Sequence, residues 1–92
     1  MAEFLLEVYL AATESGRLAE ASACARAAAV DLATEDVRIA FLHAIYTPED
    51  ETAVYVYEAD SADAVREAAH RAHLTGGRVV AAVTQPKGAV QP

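Results

Sequence analysis

Two β-rich runs joined by a short polar turn constrain this chain most: "VRIAFLHAIY" (37–46) and "TAVYVYEA" (52–59), separated by "TPEDE". Both runs are rich in β-branched and aromatic residues, and Pro48 suits the first central position of a turn. They predict a hairpin. A hairpin alone is marginal in water, so it needs further strands or a helix against one face.

The flanks supply both, in matching order. "EFLLEVYL" (3–10) alternates and reads as a strand. "AATESG" follows as a turn with helix-start chemistry, Thr13 or Ser15 being the candidate N-caps. From Arg17 to Ala33 the chain is rich in alanine, the strongest helix former, and no proline interrupts it. Leu18, Ala21, Ala25, Ala28 and Leu32 make a stripe of small groups that permits close approach to a sheet. After the hairpin, Asp60 and Asp63 look like an N-cap and an acidic first turn. A helix is expected over 61–73 with Val65, Ala68, Ala69 and Ala72 facing the core. "TGG" (75–77) is expected to close it through glycine's left-handed freedom, and "RVVAAVT" (78–84) is a last strand. The order βαββαβ predicts an α+β, ferredoxin-like domain over residues 1–85: four antiparallel strands with both helices on one face. Residues 86–92 are expected to form a flexible tail.

Length and composition say what such a domain lacks. With 92 residues it is a single small domain, and one of this size buries only roughly 60% of the surface its unfolded chain exposes. Yet 54% of the residues are hydrophobic, which suggests a second apolar surface and hence a homodimer. A net charge of −7 without a basic stripe argues against nucleic acid and anionic membranes as partners. No run of about 20 apolar residues appears, and "MAEFLLEVYL" lacks the basic start of a secretory signal. A cytoplasmic location is the expectation. The single Cys24 allows no internal disulfide.

Alternation divides the sheet residues between two faces. Phe4, Leu6, Val8, Val37, Ile39, Phe41, Val54 and Val56 are expected beneath the helices. Leu5, Tyr9, Leu42, Tyr46, Tyr55 and Tyr57 are expected on the uncovered face, so a homodimer is expected either to pack sheet against sheet there or to pair edge strands. A slip of one residue in the hairpin would exchange the faces of a whole strand.

His43 continues the Val37–Ile39–Phe41 face on this reading. It is either a core histidine donating to a carbonyl or tyrosine, or a working group: a metal ligand or a general acid/base. His70 and His73 stand three apart on the second helix, with Glu67 one step earlier. "E-x-x-H-x-x-H" is either a solvated face or a surface site for a transition metal. Cys24, among alanines, reads as a small buried hydrophobe. His43, Tyr55 and Tyr57 around an apolar pocket could instead serve a cofactor-independent enzyme or a protein that holds an apolar small molecule. No phosphate loop, Cys-x-x-Cys pair, nucleophile elbow or H-E-x-x-H motif is present.

The segments "VRIAFLHAIYTPED" and "AVYVYEADSADAVREAAHRAHLTGGRVV" resemble a family of small bacterial proteins whose best described members are actinobacterial nickel-binding proteins. The resemblance runs from about Phe4 to Val83. It rests on "LH" in the second strand, "VYEA" in the third, "AVREAA" in the second helix and "RV" opening the fourth strand. It implies a ferredoxin-like homodimer that binds nickel or another divalent transition metal. The family's aromatic residue two before the histidine is kept as Phe41 and His43. The cysteine common before "VY" in that family is Tyr55 here, and the histidine common after "RE" is Ala68. The resemblance therefore leaves His43 as the retained ligand, with His70 and His73 as substitutes.

Overall fold

The computed structural model describes residues 1–83, so the expected tail at 86–92 lies outside the described residues. The elements follow the expected order: β1 (Ala2–Tyr9), α1 (Leu18–Ala33), β2 (Ile39–Thr47), β3 (Thr52–Ala59), α2 (Ala62–Arg71) and β4 (Arg78–Ala82). The four strands form one antiparallel sheet in the order β2-β3-β1-β4, the ferredoxin-like arrangement, with both helices on one face. No helix among the described residues is long and apolar enough to cross a membrane.

The helices present small faces, as alanine spacing dictates. Ala25, Ala28, Ala29 and Leu32 of α1 are buried, as are Val65, Ala68 and Ala69 of α2 and the adjacent Ala72. Alanine-lined helices approach a sheet closely but bring little volume. Close packing then requires the sheet to provide large side chains. It does so with Phe4, Leu6, Phe41, Tyr55 and Tyr57, all in the core.

That demand corrects the expected division of β3. Tyr55 pairs with Leu6 and Tyr57 with Phe4, on the covered face, while Val54 and Val56 pair with Glu7 and Leu5 on the uncovered one. Both parities of "TAVYVYEA" are apolar, so alternation alone could not choose between them. Volume did. The tyrosine rings fill the space above Ala53 and Ala59, which are themselves fully buried. Phe41 lies edge-on to Tyr57, with ring centroids 5.5 Å apart.

β2 changes face part-way along. Phe41 pairs with Tyr57, but His43 pairs with Val56, leaving Leu42 as an extra residue in a β-bulge. Beyond it Ala44 and Tyr46 pair with Tyr55 and Ala53 on the covered side, and His43 and Ile45 pair with Val56 and Val54 on the other. The Tyr46 hydroxyl donates to the Leu10 carbonyl at 2.6 Å, which fixes the post-bulge register. An extra residue of this kind bends a strand and re-aims its side chains.

The turns use chemistry the sequence did not display. Neither Thr13 nor Ser15 caps a helix; a 3-10 turn (Ala12–Arg17) leads into α1. The Glu51 carboxylate reaches across from the hairpin to accept the Ala12 N–H at 2.8 Å. Ser61, rather than Asp60, caps α2 by accepting from the Ala64 N–H. At the other end of α2, His73 has φ +61°. Its N–H reaches the His70 carbonyl and that of Leu74 reaches the Ala69 carbonyl, the pairing of a Schellman cap. Helix closure falls to His73 and not to the glycines. Gly76 has φ +78° in the following loop. A β-carbon in left-handed backbone costs about 1–2 kcal/mol. We expect His73→Gly to raise stability by about 0.5–1 kcal/mol once glycine's greater unfolded-state freedom is set against that relief; chemical denaturation checks it.

Candidate functional site

The three histidines occupy three separate places. His43 is exposed on the uncovered face of β2. There it ends a row that crosses all four strands: His43, Val56, Leu5 and Val80. One row away Ile45, 49% exposed, and Val54 lead to the Glu7–Arg78 ion pair at 2.9 Å. On the other side lie Ala40, Glu58, Glu3 and Ala82. The inward His43 expected from alternation is therefore corrected: the bulge at Leu42 turns it outward.

This also separates His43 from the tyrosines. Tyr55 and Tyr57 lie on the covered face, so no single pocket holds all three. Tyr57 is wholly buried and its hydroxyl has no hydrogen-bond partner among the described residues. Burial, reinforced by the neighbouring Tyr55, pushes its pKa up to about 12. A neutral phenol held that firmly is a poor proton donor at ordinary pH.

His70 and His73 do not share a metal-binding face. α2 ends at Arg71 and the chain turns left-handed at His73. His70 borders a groove between α2 and β4, with Arg66, Leu74 and Gly77. His73 borders a different cavity, between the helices. Glu67 is engaged by Arg71 at 2.9 Å, and the same guanidinium grips Glu35 through two hydrogen bonds. Those bonds hold the Glu35 carboxyl below the usual carboxylate range. Among the described residues no group of three or more His, Cys, Asp or Glu side chains is placed to hold a metal ion. One chain therefore does not by itself fit a nickel centre of several protein ligands.

The inter-helix cavity joins residues that spacing could not connect. It measures about 360 Å³ and is bounded by the end of β1, the start of α1 and the end of α2. Tyr55, Cys24 and His73 meet there. Cys24 is exposed, not the buried small hydrophobe its alanine neighbours suggested. The contact depends on the sheet's register and on the angle of two helices, neither of which a linear pattern encodes. A third concavity lies between α1 and the edge of β2, where Arg26 stacks 4.9 Å above the Phe41 ring.

No protein-family model matches the chain. No curated protein matches it either. Among solved structures, the protein SCO4226 from Streptomyces coelicolor A3(2) is similar, with a TM-score of 0.69 over 92% of this chain and 100% of that one, at 23% identity. At that identity the likeness establishes the fold: a small α+β domain of ferredoxin-like topology and the same size.

Proposed function

We propose that the chain works as a homodimeric, transition-metal-binding protein whose two copies stack through the uncovered sheet face, each contributing His43. The observation that carries this reading is the bulge at Leu42, which places the imidazole outward in an apolar row instead of in the core. The resemblance to nickel-binding proteins supports the choice of metal, since imidazole suits nickel, zinc and copper.

A two-fold axis running along the His43–Val56–Leu5–Val80 row lays each of these residues over its own counterpart. Stacked sheets lie about 10 Å apart, so two facing imidazoles can share one ion. This stacking covers the half-buried Leu5 and Val80 and the exposed Ile45, which a lone subunit leaves in contact with water.

Native mass spectrometry of untagged protein, with and without Ni²⁺, tests this. Wild type is expected as a dimer with nickel bound at micromolar metal, and His43→Ala as folded protein without it. Because His43 is exposed, the substitution should change stability by less than about 0.5 kcal/mol. A monomer, a metal-free dimer, or a nickel adduct that survives His43→Ala would overturn the reading.

A further inference from the structure

We infer that the cavity between the two helices binds an uncharged, largely apolar molecule of one or two rings, whose carbonyl oxygen accepts a hydrogen bond from Tyr55. The inference is independent of metal binding, because His43 lies on the other side of the sheet.

The walls are apolar. Val8, Leu10, Ala21 and Leu74 line the cavity, and its volume of about 360 Å³ falls at the small end of the ~300–1,000 Å³ typical of ligand sites. Such a space suits a compact ring system. Its one deep polar group is the Tyr55 side chain, which is 98% buried at 2% exposure and borders the cavity. No hydrogen bond satisfies that hydroxyl among the described residues. The hydroxyl keeps access to the cavity, where a ligand acceptor would take the place of water. Burial raises the Tyr55 pKa, so the group is a neutral donor, matched to a neutral carbonyl and not to a cation.

The mouth gives the ligand's charge. Arg17 pairs with Glu14 at 3.2 Å, which leaves Glu20 as the remaining charged group lining the cavity. A carboxylate at the rim of a chain with net charge −7 disfavours anions. His73 completes the rim in strained left-handed backbone. Strain held at the edge of a cavity fits a residue kept there for what it touches.

The test is titration of ¹⁵N-labelled full-length protein, in EDTA, with 2-acetylnaphthalene. Two comparison probes are 2-ethylnaphthalene, which lacks the acceptor, and 2-naphthoate, which is anionic. The ketone is expected to shift the amides of Ala21, Ala72 and Leu74, and to slow alkylation of Cys24 by iodoacetamide. Tyr55→Phe should weaken ketone binding about fivefold, the worth of one neutral hydrogen bond, and leave 2-ethylnaphthalene binding unchanged. Ala21→Phe should abolish both by filling the space, with the fold confirmed by circular dichroism. His73→Gly should loosen ketone binding while raising the melting temperature. No binding at millimolar ketone would overturn the inference. So would equal affinity in wild type and Tyr55→Phe, tighter binding of 2-naphthoate, or shifts confined to the groove between α1 and β2.

Discussion

Tyr57→Ala is expected to destabilise the domain by about 3–5 kcal/mol, the usual cost of truncating a buried aromatic. Tyr57 is wholly buried against Phe41 and in cross-strand register with Phe4. The helices above offer mainly alanine methyls, which cannot move in to close the void. A small domain has a stability of only about 5–10 kcal/mol, so the variant should unfold at a small fraction of the denaturant needed by wild type. Tyr57→Phe should act in the opposite direction. It removes a hydroxyl that is buried without a partner and keeps the ring, and so should add about 1 kcal/mol. For a domain of this size that is a rise of several degrees in melting temperature. A loss of stability in Tyr57→Phe would show that the hydroxyl has a partner after all.

The same hydroxyl makes stability pH-dependent at the alkaline end. In the unfolded chain tyrosine ionises near 10, and in the folded protein burial raises the Tyr57 value to about 12. Between those values the unfolded state releases a proton that the folded state keeps. Stability is therefore intact below about pH 10 and falls as pH rises toward 12, by roughly 2–3 kcal/mol in all. Denaturation profiles should show this decline in wild type and a shallower one in Tyr57→Phe.

Gly77→Ala is the second large effect. An added β-carbon would lie 2.8 Å from the Glu7 carbonyl oxygen, 2.8 Å from a Val8 methyl and 3.0 Å from a Leu6 methyl. The first of these is backbone of a central strand, which cannot swing aside. Relief requires the start of β4 to move away from β1, weakening the Glu7–Arg78 pairing. We expect a loss of about 1–3 kcal/mol, in the range of overpacking, with hydrogen exchange rising first in Arg78–Ala82. Gly76→Ala adds no contact within 4 Å but is strained by its positive φ, so it should cost less and leave β4 protection unchanged. Equal exchange in both variants would sink the steric explanation.

Element order, and with it the fold class, was written in the sequence. Alanine-rich stretches with helical spacing and β-branched runs with turn residues between them are local signals, and each element's own chemistry sufficed. The core faces of both helices were legible for the same reason: an alanine stripe with a leucine at its end has one apolar side. The face of β1 was legible too, because Glu3 and Glu7 alternate with Phe4, Leu6 and Val8.

What the tertiary structure alone decided was which way the hairpin faces. In "TAVYVYEA" and "FLHAIY" both parities are apolar, so a period of two has no preferred phase. The choice was made by volume, since small helices needed tyrosines beneath them, and by one extra residue, Leu42, which moved His43 to the opposite side. The cavity shared by Tyr55, Cys24 and His73 arises in the same way. Its residues are neighbours only after register, bulge and helix angle are set, because those quantities depend on contacts between segments far apart in the chain.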